Sequence, residues 1–284
     1  GHGRDSTGPL VGLRGPARIR PMSEPTSNGL GSAGERSFDQ DPSVPAGPAA
    51  DGGALPGVVS TRPATEAVIF DLDGTLVATD QFWIPAARAA TRRVFAERCI
   101  DLPQPSGNEW MRLVGFPMAE GLRLVLPNLD EASMECLHAA CIEEEEAQLR
   151  AGRAALLPGA KAMLEELASR GLKLGIASNC GHGYLEHMMT ALGLERWVSE
   201  GRCLDSPGIR DKTEMVADIL LHFGLEPGGP ALMVGDRRGD IYAGEQNGLV
   251  TVGYTGAFGD AADHMHADHV IEHLGELPGL LVVD

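Results

Sequence analysis

The chain has 284 residues, 43% of them hydrophobic and 22% charged, which suits one or two soluble globular domains with length enough for a sizeable core. A net charge of −17 argues by repulsion against a nucleic-acid partner or an anionic membrane surface, and it obliges any phosphate site to carry local positive charge. No apolar run reaches the roughly 18 residues of a membrane span and no charged-then-apolar leader opens the chain, so neither a span nor a signal peptide is expected.

Five cysteines (Cys99, Cys136, Cys141, Cys180 and Cys203) are odd in number and form no C-x-x-C pair. That pattern suits a reducing cytoplasm better than a disulfide framework. Residues 1–63 come first. Glycine, proline and serine make up 28 of these 63 residues, apolar periodicity is almost absent, and the charges nearly cancel. Such a stretch cannot bury enough surface to offset its ordering entropy, so a disordered tail is expected. The chain opens Gly1-His2 without a methionine, and the residues before Met22 are read as an expression remnant.

The first ordered element is expected at Ala67-Val68-Ile69-Phe70, an apolar run that leads directly into Asp71 and Asp73 and then a Gly74-Thr75 turn. A run this short, closed by a turn signal, reads as a strand of a parallel sheet buried on both faces. Such strands end at the crevice where open α/β sheets bind ligands. Asp71 and Asp73 are two apart, so extended geometry would put both carboxylates on one side. Their repulsion calls for a cation or a shared proton.

Residues 81–157 then read as helical: Phe82–Cys99, Met118–Leu126 and Glu131–Arg150, punctuated by Pro127 and Pro158. The run Glu143-Glu144-Glu145-Glu146 spreads around a helix and is expected to be a solvated face. From Gly159 the pattern alternates. Helices are expected over Ala160–Arg170, Tyr184–Leu192, Thr213–Phe223 and from Asp236 to Asn247. Strands are expected over Leu172–Ser178, Val198–Leu204, Ala231–Val234, Thr251–Tyr254 and His269–Ile271. Alternation at this spacing predicts an α/β fold with a parallel sheet and helices on both faces.

Four stretches carry polar residues at the ends of these elements: Asp71-Leu72-Asp73-Gly74-Thr75-Leu76, Ser178-Asn179, Lys212, and Gly235-Asp236-Arg237-Arg238-Gly239-Asp240. Each alone is a weak signal, but their order and spacing together resemble the haloacid dehalogenase (HAD) superfamily, in its phosphoglycolate-phosphatase-like branch with a helical cap. The resemblance covers about residues 66–277. It implies a Rossmann-like parallel sheet core at 64–80 and 158–284, with a small α-helical cap domain inserted after the first strand at 81–157. The segment Gly115–Leu122 falls where related caps carry a specificity loop.

The resemblance also implies a set of roles. Asp71 would be the nucleophile and Asp73 the general acid and base. Asp71, Asp73, Asp236 and Asp240 would hold Mg²⁺, with Asp240 acting directly or through water, and Ser178, Asn179 and Lys212 would bind the substrate phosphate. Backbone N–H groups of Leu72 and Asp73 would complete the phosphate cradle. Because Asp73 occupies the second acidic position, which dehalogenases lack, the implied activity is a Mg²⁺-dependent phosphatase. Its substrate would be a small phosphorylated metabolite of the phosphoglycolate or sugar-phosphate type. A phosphomutase on the same scaffold, resembling β-phosphoglucomutase, is the nearest alternative, and a non-catalytic interaction protein is a more distant one. One departure is Ala78, where relatives often carry an acid. The histidine-rich stretch His264–His273 is read as a strand with its approach loop, Cys180 as a bystander, and Arg237 and Arg238 as solvent-facing.

Overall fold

A computed structural model describes residues 63–259 and 261–282; the expected tail lies outside the described residues, apart from Pro63. Six strands run in chain order as β1 (Ala67–Phe70), β2 (Lys173–Ser178), β3 (Val198–Cys203), β4 (Ala231–Gly235), β5 (Val250–Tyr254) and β6 (His269–Ile271). All pairings are parallel, and the sheet order is β3-β2-β1-β4-β5-β6. The chain builds outward from β1 to β3 on one side, then returns and builds β4 to β6 on the other. The order therefore reverses at β1 and β4, and a crevice opens beyond their carboxyl ends.

The apolar run of β1 is buried without exception because both of its faces are covered. Val68 and Phe70 point into a core that includes Met163, Leu164 and Leu167 of α5 (Ala160–Ser169). Ala67 and Ile69 point the other way, against Met215, Val216 and Ile219 of α7 (Lys212–Phe223). This alternation is the period-two geometry of a strand between two helical layers. Helices α6 (His182–Ala191) and α8 (Arg238–Gln246) complete the layers.

Between β1 and α5 lie α1 (Asp80–Glu97), α2 (Gly107–Met111), α3 (Met118–Val125) and α4 (Glu131–Arg150). The chain enters and leaves this insert through a short stem. Leu157 N–H donates to the Leu76 carbonyl at 2.8 Å, Ala78 N–H donates to the Ala155 carbonyl at 2.9 Å, and Val77 pairs antiparallel with Leu156. Inside the insert, Trp83 and Trp110 meet edge to face, with ring centroids 6.2 Å apart. Helix α2 was not expected from apolar periodicity. It is held by a reciprocal cap in which Glu109 N–H donates to Ser106 Oγ at 3.3 Å and Ser106 N–H donates to Glu109 Oε2 at 2.7 Å.

The expectation of a fully solvated acidic face on α4 requires correction. Glu143 and Glu144 pair with Arg93 of α1, and Glu146 pairs with Arg150. Glu145 instead turns into a cavity between the insert and the sheet.

Candidate active site

At the end of β1, Asp71 N–H continues the ladder to the Val234 carbonyl of β4 at 2.9 Å, which sets its side chain over the crevice. The chain then turns at Gly74, whose φ is +88°. A side chain there would be strained, and its Cβ would lie 2.6 Å from Asp236 Oδ2. Glycine thus allows the β1 turn to pass against the aspartate that ends β4. Asp240 sits in the first turn of α8 and accepts from Arg237 N–H at 2.9 Å, so a helix start fixes its carboxylate.

Asp71, Asp236 and Asp240 are all buried, and one carboxylate oxygen from each lies within 4.8 Å of the others. Lys212, the first residue of α7, donates from Nζ to Asp71 Oδ1 and to Asp240 Oδ1, both at 2.6 Å. Burial raises Asp71 to about 7, with Asp240 and Asp73 adding to the shift and Lys212 opposing it. Burial also holds Asp236 well above its ordinary value, helped by Asp71 and Asp240. Although burial alone would lower it, Asp240 and Asp71 hold the Lys212 ammonium above its usual range. Three buried carboxylates thus face one ammonium, and among the described residues Asp71 Oδ2 and Asp236 Oδ2 have no hydrogen-bond partner. Orphaned buried oxygens converging in an acid-rich site fit a hard divalent cation with oxygen ligands.

The side chain of Asp73, expected as a further metal ligand, is not in that cluster. Its Oδ1 accepts from Thr79 Oγ1 at 2.7 Å and from Tyr184 Oη at 2.5 Å. Burial raises its pKa, and the two hydroxyl donors oppose the shift. The residue is therefore buried beside the cluster, aimed by two donors and biased towards holding a proton.

Ser178 is buried at the end of β2 and lines the same cavity as Asp71 and Asp73. Asn179, expected on the phosphate, donates from Nδ2 to the Gly115 carbonyl of the insert at 2.8 Å. Leu72 and Asp73 N–H donate to no acceptor among the described residues, so both remain available to an incoming oxyanion. Lys212 does not line the cavity itself but contacts Asp71, which does.

The expectation for Arg237 also changes. It is not solvent-facing: Nη2 donates to the Met111 carbonyl at 2.9 Å, Nη1 donates to the Phe258 carbonyl at 3.4 Å, and Nε lies 3.4 Å from Asp236 Oδ2. Arg238 is exposed. Cys180 lines the cavity with its thiol pushed up by burial, the opposite of what a nucleophile needs. The stretch His264–His273 contributes no further three-ligand metal cluster among the described residues. Tyr184, Thr79 and Glu145 were not foreseen as site residues.

The cavity has a volume of about 660 Å³, the size of a small-molecule site. Residues 68–254 match the haloacid dehalogenase-like hydrolase family, and the chain belongs to that family.

The phosphoglycolate phosphatase of Rhodospirillum rubrum is 30% identical over 200 residues, 66% of this chain and 78% of that one. A Clostridium perfringens protein named as a pyrophosphatase, PpaX, is 26% identical over 192 residues, 66% of this chain and 83% of that one. The crystal structure of a predicted phosphoglycolate phosphatase from Haemophilus somnus shares the fold, with a TM-score of 0.68 and 22% identity over 76% of this chain and 97% of that one.

Proposed function

We propose that the protein is a Mg²⁺-dependent phosphatase of a small phosphorylated metabolite, of the phosphoglycolate or sugar-phosphate type, acting through an aspartyl-phosphate on Asp71. In this reading 64–80 and 158–284 form the catalytic core, and 81–157 form a cap that shields the cavity from water. The observation that carries the proposal is the pairing of two differently treated carboxylates. Asp71 is bonded to the ammonium of Lys212, while Asp73 is held by Tyr184 and Thr79.

Asp71 and Asp236 would hold the metal, with Asp240 beside them and Asp73 contributing from the turn. Bound there, Mg²⁺ supplies the positive charge that lets an anionic nucleophile meet an anionic ester. Lys212 keeps Asp71 aligned through its 2.6 Å bond. An Asp71 carboxylate oxygen forms a bond to phosphorus as the ester P–O bond breaks, and Asp73 gives its proton to the departing oxygen. Asp73, now a carboxylate, takes a proton from water. That water attacks the acyl-phosphate, releases inorganic phosphate and restores Asp71. Ser178 Oγ–H and the N–H groups of Leu72 and Asp73 donate to the phosphoryl oxygens.

Among the described residues no helix is long and apolar enough to cross a membrane. The five free cysteines support a cytoplasmic setting. The test is release of p-nitrophenol from p-nitrophenyl phosphate with added Mg²⁺ or with EDTA, combined with intact-mass detection of a phosphorylated chain after acid quench. Mg²⁺-dependent turnover and a phosphoenzyme that is absent from Asp71→Asn support the proposal. An active Asp71→Asn variant overturns it. Product analysis separates hydrolysis from the mutase alternative, as free phosphate or an isomerised sugar phosphate.

A further inference from the structure

Two unlike walls meet in the cavity: Asp71, Asp73 and Ser178 line it from the sheet, while Phe116 and Ile142 line it from the insert. The insert leaves three large apolar side chains exposed, Phe116 at 43%, Leu124 at 55% and Ile142 at 41%, and two of the three open into this cavity. Pro117 and Met118 extend the same surface. Exposed apolar side chains gathered in a cleft mark a binding surface. Local sequence places this wall beside the phosphoryl position. Leu113–Phe116 is a tight turn, in which Phe116 N–H donates to the Leu113 carbonyl at 3.0 Å and Gly115 supplies the φ of +97° that the third residue needs. Asn179, which follows Ser178, donates to the Gly115 carbonyl at 2.8 Å. Arg237, which follows Asp236, donates to the Met111 carbonyl at 2.9 Å, and its Cγ would lie 3.0 Å from a Cβ placed at Gly115. The turn is thus stapled to the residues after Ser178 and after Asp236, so a group projecting from a phosphoryl held at Asp71 enters the cavity alongside Phe116.

At roughly 30 Å³ per non-hydrogen atom, a water molecule's share of the liquid, the nine such atoms of phosphoglycolate fill about 270 Å³. With the insert docked on the core through Asn179 and Arg237, the cavity holds about 660 Å³. His138, Glu145 and Arg150 of α4 and His182 and His187 of α6 also line it. Between them they can meet a hydroxyl, an ammonium or an acid group, so polar substituents of either sign are compatible with the apolar contact. Resting on the phosphatase reading, we infer that the substrate is an ester whose organic part exceeds a two-carbon acid and lays an apolar or aromatic face on Phe116 and Ile142. That part displaces water from both side chains as it binds, and each fully buried methylene is then worth about fourfold in affinity. Within the range of small phosphorylated metabolites, this favours a sugar phosphate that carries an apolar or aromatic substituent over phosphoglycolate.

The experiment compares kcat/KM for ethyl, butyl and hexyl phosphate and for phosphoglycolate by phosphate release. The three alkyl esters share one kind of leaving group, a primary alkoxide, so chain length alone separates them. Hexyl phosphate should exceed both ethyl phosphate and phosphoglycolate by about tenfold or more, with butyl phosphate above ethyl phosphate. The double variant Phe116→Ala with Ile142→Ala should lower the hexyl-to-ethyl ratio about fivefold or more. Leu124→Ala, exposed on the insert outside the cavity, should lower it by less than about twofold. Each ratio is internal to one preparation, so partial misfolding cancels. A smaller preference for hexyl phosphate over either ester, a smaller fall in the double variant, or an equal fall in Leu124→Ala overturns the inference. Where p-nitrophenyl phosphate is still turned over with Mg²⁺, that result leaves the phosphatase reading intact. Failure to hydrolyse every ester and p-nitrophenyl phosphate overturns both.

Discussion

Replacing Lys212 with methionine keeps the aliphatic stem and removes the one ammonium facing three buried carboxylates. The Lys212 side chain is 7% exposed, and those of Asp71 and Asp240 are 3% and 1% exposed, so water cannot take over the role of the lost charge. Both hydrogen bonds are 2.6 Å and charge-assisted. Breaking a buried ion pair from one side costs about 3–5 kcal/mol, because the partner is left charged and desolvated. At about 2–4 °C per kcal/mol for a domain of this size, Lys212→Met should melt roughly 6–20 °C lower than the wild type at about pH 8 without metal. The loss should shrink towards about pH 5, where the abandoned carboxylates take up protons instead. Saturating Mg²⁺ should restore part of it, on the order of 2–3 kcal/mol at a hundredfold excess over Kd. Differential scanning fluorimetry across pH, with EDTA or Mg²⁺, reads all three effects. If the variant melts within about 2 °C of the wild type in EDTA at pH 8, Lys212 is not the counter-charge of the cluster and the electrostatic account is wrong.

The buried acids also set a pH dependence for the metal-free protein. Asp71 moves from 3.8 to about 7 on folding, so the folded state binds its proton more tightly than the unfolded state. Stability from this group is full below about 4 and falls as pH rises towards 7. Urea midpoints in EDTA should therefore decline over that window, and added Mg²⁺ should remove most of the decline; a rising midpoint would contradict the sign. Gly74→Ala, at φ +88° with a Cβ placed 2.6 Å from Asp236 Oδ2, should cost about 2 kcal/mol or more and abolish the Mg²⁺-induced rise in melting temperature. Arg237→Met removes the bonds to the Met111 and Phe258 carbonyls, and steady-state kinetics should show KM rising severalfold with a smaller change in kcat, since the insert is held less firmly over the cavity.

What could be read from the chain alone follows a physical divide. Strands buried on both faces leave an uninterrupted apolar run, so β1 and β4 were visible, and strong helical periodicity gave the bounds of α4 as Glu131–Arg150. Asp71, Asp236, Asp240 and Lys212 each sit at the end of such an element, so linear order was enough to bring them together. Residues whose role depends on side-chain direction were not visible. Tyr184 reaches Asp73 from the first turn of α6 with no motif to announce it, and Glu145 differs from its three acidic neighbours only by the face of α4 it occupies. Arg237 looked solvent-facing because sequence does not show that the insert folds back over it, and the bond from Asn179 to a carbonyl 64 residues away is equally hidden in linear order. Helix α2 did leave a signal, the pair Ser106 and Glu109 three apart, which apolar periodicity does not register.

The stem at Leu76–Ala78 and Ala155–Leu157 ties the departing and returning chain together beside the active site, before the bundle begins. Its ends stay a few ångströms apart whatever lies between them, so the central ladder does not depend on the length or packing of that excursion. Bond-breaking machinery and the parts that choose a guest are thereby separable, and grafting a different small bundle onto the same two anchor points is the direct route to redirecting this enzyme.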